Sequence, residues 1–144
     1  MQAGVTTRVS TAANGSQAFG DSSGGKLSAD GRYVVFTSSA SNLVSGDTND
    51  CNDVFVKDLQ TGAITRASIG ADGTQADSTS GGYDISDDGR NVVLFTFATN
   101  LLARHSLGYP DVLIKALQTG ALTYVSTGAV AQRQIFQQRT LYRL

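Results

Sequence analysis

Apolar residues in this chain fall into short runs separated by polar, glycine-containing stretches. The runs at 33–38 and 53–58 contain consecutive branched and aromatic residues, and similar runs return at 91–97 and 111–116. Runs of this length bounded by turn-forming residues are typical of β-strands. Because apolar and polar positions do not alternate within them, we predict strands that are covered on both faces.

The pattern returns because the chain repeats itself. Residues 6–63 align without a gap to residues 64–121, close to half of the aligned positions are identical, and a partial third copy begins at Leu122. A fixed period of 58 residues indicates a repeat architecture. We therefore predict two tandem 58-residue units within a region spanning 1–129, followed by a divergent tail at 130–144 that contains no Gly or Asp.

Each unit is predicted to form four strands. The Asp-Gly pairs that begin at Asp30 and Asp88 predict tight hairpin turns between the first and second strands. A further strand at 5–10 is expected, because its sequence matches the fourth strand. Four antiparallel strands between two neighbours make a β-propeller blade, and a β-sandwich or a β-solenoid is the alternative. The predicted strands are 25–28, 33–38, 53–58 and 64–68, then 83–86, 91–97, 111–116 and 122–126.

The composition agrees with an all-β chain. All acidic residues are Asp, and both Asp and the 16 Gly favour turns over helices. The net charge of −1 argues against a nucleic-acid or membrane-surface partner. No apolar run approaches the roughly 18 residues that span a bilayer, and the first residues do not resemble a signal peptide. Cys51 is the only cysteine, so no internal disulfide is expected.

Two segments resemble the blades of TolB-type β-propellers. The Ser-Ala-Asp-Gly-Arg stretch at 28–32 precedes an apolar strand. The segment at 53–62 begins with Asp-Val-Phe-Val and ends in a turn. The resemblance implies a propeller whose Asp-Gly turn joins the first two strands of each blade, with the fourth strand outermost. Such propellers usually have six or more blades and serve mostly as binding scaffolds in bacterial envelope or secreted proteins. The resemblance thus implies a periplasmic or secreted parent.

Two blades cannot close a ring, so we expect the chain to form a homo-oligomer. Three copies would supply six blades, and an end strand could cross to a partner copy. The expected function is a non-enzymatic module that self-assembles and offers the loops at 39–52 and 98–110 to a protein or glycan ligand. One alternative is an orphaned or engineered fragment without a ligand of its own. A more distant alternative is part of a propeller lyase or hydrolase.

One loop places oxygen-bearing side chains at close spacing, as a calcium site requires. Asp47, Asn49, Asp50 and Asp53 are the candidate ligands, and Ca²⁺ takes six to eight oxygen ligands. The loop lacks the glycine and the distal bidentate acid of a standard calcium loop. A solvated turn held by Asx hydrogen bonds is the alternative interpretation. No other cofactor is expected.

The sequence offers little for catalysis. His105 is the only histidine, and no Gly-x-Ser-x-Gly segment is present, so we predict that the chain is not an enzyme. Asp53 and Asp111 recur at the start of the third strand of each unit. Recurrence in both units indicates a structural role, either pairing with Arg32 and Arg90 or capping loop amides.

Overall fold

The computed structural model describes residues 4–103 and 108–125, and these residues form an all-β structure. Two four-stranded antiparallel sheets have their strands in chain order, and neither a helix nor a closed ring occurs in this part of the chain. The first sheet consists of β1 (Ser22–Leu27), β2 (Tyr33–Ser38), β3 (Asp53–Asp58) and β4 (Ile64–Arg66). The second sheet consists of β5 (Ser80–Ile85), β6 (Asn91–Thr96), β7 (Asp111–Ala116) and β8 (Leu122–Tyr124).

The strand bounds show where the sequence pattern was informative. The third strands, β3 and β7, have the predicted bounds. The first strands begin at Ser22 and Ser80, three residues earlier than predicted, because pairing with β2 and β6 continues through Ser and Gly, which give no apolar signal. The strand predicted at 5–10 is wrong: this segment joins no ladder, and the Ser10 carbonyl accepts instead from the Ala18 N–H of the following loop at 3.0 Å. The partial third copy after Val125 and the tail at 130–144 lie outside the described residues.

The two sheets pack against each other through different faces. We call the face that carries Val35, Val54 and Val56 the forward face of the first sheet, and the opposite face the backward face. These three valines pack against Leu94 and Leu113 of the second sheet in one core cluster. In the 58-residue alignment, Leu94 and Leu113 correspond to Phe36 and Phe55, which lie on the backward face of the first sheet. The two leucines therefore lie on the backward face of their own sheet. The units therefore stack forward face on backward face.

The first sheet is covered on both sides. On its backward face the Phe36 and Phe55 rings lie 5.8 Å apart, and both side chains are buried. Leu43 from the following loop and Val9 from the N-terminal segment pack against them. The predicted double coverage of the strands is therefore confirmed for β2 and β3.

Among the described residues, the second sheet is fully covered on one side only. Val93, Phe95, Val112 and Ile114 on its forward face keep part of their surface exposed, while Leu94 on the backward face is fully buried. The prediction of double coverage is wrong for β6 and β7, because no other sheet among the described residues lies against this forward face.

One buried lysine in each unit ties a loop to a hairpin. The Lys57 ammonium donates to the carbonyl oxygens of Thr11 (3.0 Å), Ala12 (3.2 Å) and Gly62 (2.8 Å). Lys115 repeats the arrangement with the corresponding loop and turn. Burial lowers the pKa of both side chains, while three acceptors favour the ammonium form, which alone has three N–H donors. Each lysine thus holds the loop before the first strand of its unit against the turn between the third and fourth strands.

The turn aspartates hydrogen-bond local groups. The Asp30 carboxylate accepts from the Arg32 backbone N–H (3.0 Å) and the Ser28 hydroxyl (2.6 Å), and the second unit repeats both bonds. The Arg32 guanidinium forms a bidentate pair with Asp58, at 3.1 and 2.8 Å. The predicted pairing of Arg32 with Asp53 is therefore wrong, because Asp58 lies directly across the ladder from the residue after Arg32.

The Arg32–Asp58 pair gives a pH-dependent prediction with an internal control. Arg32 lowers the pKa of Asp58 in the folded chain, so the pair stabilises the fold above the ordinary Asp pKa of about 3.9, and this contribution is lost as the pH falls further. We expect Arg32→Ala to cause a small loss of stability at neutral pH that shrinks in acid. The matched Arg90→Ala has little effect, because the counterpart of Asp58 is Ala116. Urea unfolding at neutral pH and in acid measures the free energy of unfolding of the wild type and both variants.

Candidate functional site

The structure brings two of the four candidate calcium ligands together around an arginine. Arg66 Nη1 lies 3.2 Å from Asp47 Oδ1 and 3.5 Å from Asp53 Oδ2. All three side chains are almost fully buried. A guanidinium cation therefore already lies beside two of the four candidate ligands and offsets one of their two negative charges.

The other two candidate ligands lie in the local turn. The Asn49 side-chain oxygen accepts from the Cys51 backbone N–H (3.3 Å), and its amide nitrogen donates to the Ala76 carbonyl (3.0 Å). Asp50 adopts a left-handed backbone conformation with a φ of 54°, which Asp tolerates better than most residues. These features fit the alternative interpretation, a loop held by Asx hydrogen bonds.

The Asp53 carboxylate is held by two side chains, the Ser68 hydroxyl and the Arg66 guanidinium. The Ser68 hydroxyl donates to Asp53 Oδ1 at 2.5 Å and accepts from the Val54 backbone N–H at 3.0 Å. Gln75 joins the network through its side-chain oxygen, which accepts from Arg66 at 3.1 Å. Sequence reasoning missed Arg66 and Gln75, and their signal was weak: both are polar residues that recur at the same repeat positions, as Arg8 and Gln17 do.

Burial raises the pKa of the Asp47 carboxyl, the nearby Asp53 charge raises it further, and Arg66 opposes both effects. The folded chain therefore binds more protons at Asp47 than the unfolded chain between the two pKa values. In that window, this residue makes the fold less stable as the pH rises. A cation beside Asp47 offsets this cost, and Arg66 supplies one.

The calcium hypothesis thus has a specific structural requirement. Among residues 4–103 and 108–125, no group of three or more His, Cys, Asp or Glu side chains is arranged to hold a metal ion. For Asp47 and Asp53 to bind calcium, Arg66 must leave them. Calcium binding by Asp47, Asn49, Asp50 and Asp53 stays a prediction.

Removal of the arginine tests that requirement. We expect Arg66→Ala to enlarge the rise in melting temperature that millimolar Ca²⁺ produces, because binding to the folded state stabilises it and the competing cation is gone. Arg8→Ala, at the corresponding position of the preceding repeat, is the matched control, and its response should equal that of the wild type. Equal responses for all three proteins would contradict competition between Arg66 and calcium.

Among the described residues, the second unit has a different residue in place of the arginine. Tyr124 takes the place of Arg66, and its hydroxyl lies 3.5 Å from Asp111 Oδ2. The counterpart of Asp47 is His105, which lies outside the described residues. The predicted pairing of Arg90 with Asp111 is not found, since Arg90 lies 3.9 Å from Asp88 instead. The Arg66 ion pairs are therefore not repeated among the described residues of the second unit.

A second candidate surface lies on the forward face of the second sheet. The Tyr83 and Phe95 ring centroids are 5.2 Å apart, and those of Phe95 and Phe97 are 6.3 Å apart, edge to face. Tyr83 is 56% exposed and Phe97 45% exposed. We call these three residues the aromatic patch. Their counterparts in the first unit are Gly25, Thr37 and Ser39.

Sequence reasoning missed the aromatic patch, although its signal was present. The repeat alignment departs from like-for-like replacement at all three positions, where small residues give way to rings. A shallow hollow of about 450 Å³ lies on the same sheet. Its lining residues are Asp84, Ile85, Ser86, Asn91, Val93 and Ile114.

Within the described residues, no helix is long and apolar enough to cross a bilayer. Evidence for function comes from the geometry of the chain itself. No protein-family model matches the sequence, and no curated protein is significantly similar to it.

Proposed function

We propose that this chain is a non-enzymatic β-propeller repeat module whose two sheets are blades, and that copies of it assemble to complete a ring. Three copies, with six blades, are the favoured number. The observation that carries the proposal is the stacking of the forward face of one unit on the backward face of the next.

Stacking of this kind can continue. When related units meet through different faces, each end of the stack keeps a surface that another unit can cover, so the contact closes into a ring or extends into an array. Two related sheets placed symmetrically in a sandwich would instead bury equivalent faces. The resemblance of the 28–32 and 53–62 segments to TolB-type blades supports the same arrangement.

The loops between the second and third strands of the two units form one surface. The Gln75 side chain contacts the Thr48 hydroxyl at 2.9 Å, and the Gln75 carbonyl accepts from the Asn100 amide at 2.7 Å. The loops at 39–52 and 98–110 are therefore linked through one residue. Loops held by a rigid scaffold often carry binding, and we propose a protein or glycan ligand here.

A specific observation favours the alternative, an orphaned fragment without a ligand. At the contact between units, the Thr37 hydroxyl accepts from the Gly82 backbone N–H at 3.0 Å. Its counterpart on the free forward face is Phe95, which cannot accept a hydrogen bond. A further unit therefore cannot reproduce the internal contact in full, and a chain that stays alone in solution is the expected consequence of this alternative.

Absolute mass in solution separates the two possibilities. We expect light scattering after gel filtration to give one species at an integer multiple of 15.0 kDa, with three copies favoured. A well-folded species at 15.0 kDa at every concentration would contradict self-assembly and favour the isolated fragment.

Ligand binding is tested separately through the loops. We expect a glycan or peptide library to yield a saturable ligand whose affinity falls in Tyr109→Ala, because Tyr109 is the most exposed aromatic residue of the 98–110 loop among its described residues. Binding that persists unchanged in this variant would contradict recognition by that loop. A screen without any hit would favour the fragment without a ligand.

A further inference from the structure

The contact between the two units is a template for contacts between copies. A Cβ atom at Gly82 would lie 2.8 Å from Val35 Cγ2 and 3.2 Å from Val54 Cγ1, so β5 approaches the first sheet more closely than a side chain allows. At Gly89 the following turn lies directly against the Tyr33 ring. The backward edge of the second unit is thus built from glycines that fit the forward face ahead of it.

Among the described residues, no neighbour covers the equivalent edge of the first unit, where the backbone differs: Gly24 has a φ of 60° at a bulge, whereas Gly82 pairs in register with Leu94. Gly24 and Gly31 correspond to Gly82 and Gly89, and a Cβ atom at either position would meet no other residue within 4 Å. Leu27 is 47% exposed, whereas its counterpart Ile85, which packs against the first sheet, is 6% exposed. One end of the chain therefore exposes β1 and the turn after it, whose counterparts are covered inside the chain, while Phe36 and Phe55 on the same face are already buried.

The other end presents the matching surface. Val93, Val112 and Ile114 correspond to the three valines that the second unit covers, and they remain partly exposed. The shallow hollow beside Val93 and Ile114 includes Asn91, which stands where Tyr33 receives the Gly89 turn in the first unit. The aromatic patch adds bulk to this face.

We propose that the forward face of the second unit binds β1 and the turn after it from a second copy of the chain, head to tail. This inference depends on the proposed self-assembly and names its interface. The aromatic patch packs against Gly24 and Gly25, since strand positions without side chains leave room for rings where the internal contact has small residues. The occupant is a second copy because a related pair of surfaces already associates within each chain.

Complementary variants test the interface. Leu27→Asp places a charge on the backward end, and Tyr83→Asp places one on the forward end; both positions are exposed, so the fold is preserved. We expect each variant alone to have a mass of 15.0 kDa. An equimolar mixture should form a species of two copies, because one intact forward face meets one intact backward edge. Phe19→Asp, at an exposed aromatic residue outside both surfaces, is the control and should keep the wild-type mass.

The outcomes separate this inference from the proposed function. Wild-type protein that is monomeric at every concentration overturns both. If the wild type assembles but Leu27→Asp assembles equally well, self-assembly stands and the head-to-tail interface is overturned, as expected for a symmetric contact between two forward faces. A mixture of the two variants that stays monomeric while the wild type assembles also overturns it.

Discussion

Alanine in place of Gly89 is expected to destabilise the chain by about 1–3 kcal/mol more than alanine in place of Gly31. Both glycines have a positive φ, 71° and 74°, so both substitutions introduce similar backbone strain of about 1 kcal/mol. Only the Gly89 methyl meets another side chain, the Tyr33 ring of the first unit. Urea unfolding of dilute protein measures both losses.

The difference isolates the contact between the units. In a Tyr33→Ala background the ring is absent, and we expect Gly89→Ala and Gly31→Ala to cost the same. Equal losses in the wild-type background would mean that the turn after β5 does not lie on the first sheet, and would contradict the stacking described here.

Replacing the buried lysines should have the second large effect. We expect Lys57→Met and Lys115→Met each to lower the free energy of unfolding by about 3 kcal/mol or more, because three carbonyl oxygens lose a charged donor in each case. Lys26→Met, at an exposed position of β1, is the control and should change stability by less than about 0.5 kcal/mol. Chemical denaturation at neutral pH measures all three.

The two lysines also differ in what they hold. Lys57 binds the N-terminal loop through Thr11 and Ala12, whereas Lys115 binds the loop between the sheets through Ile69 and Gly70. We expect hydrogen exchange to increase mainly in residues 11–18 for Lys57→Met and across both sheets for Lys115→Met. Protection that is unchanged around Ala12 in Lys57→Met would contradict the proposed role of Lys57.

Sequence reasoning could predict the all-β class and the central strands, because these depend on local signals. The third strands combine consecutive branched residues with a recurring Asp at the start, and their bounds were found correctly at Asp53 and Asp111. The Asp30 and Asp88 turns were also found, since an Asp-Gly pair determines a hairpin locally. Each of these features is contained in fewer than ten consecutive residues.

Features that depend on distant partners were missed. The 5–10 segment has strand-like composition but no neighbouring strand, so no local pattern could exclude it. Arg66 meets Asp47 across a loop, and Lys57 meets carbonyl groups more than forty residues away. Carbonyl acceptors carry no sequence signature, because every residue has one. The prediction that β6 is covered on both faces was wrong for the same reason, because burial of its forward face depends on whether another sheet packs against it.

Stacking of unlike faces connects the repeat to the proposed function. The forward face of the first unit is covered, with Thr37 and Gly82 joined by a hydrogen bond, whereas Val93, Phe95 and Ile114 on the same face of the second unit stay partly exposed. The substitution of Phe95 for that threonine makes the outer face more apolar than the inner one. Exposed apolar patches on sheet faces commonly mark contact with another molecule.

The measurement that tests the stacking most directly is a nuclear Overhauser spectrum of the uniformly labelled chain. The structure predicts cross-peaks from the Val35 methyls to Gly82 and from the Tyr33 ring to Gly89, since these groups touch only when a forward face meets a backward face. Intramolecular cross-peaks from the Val35 methyls to those of Ile114 would place two equivalent faces together. That result would contradict the stacking and favour a sandwich.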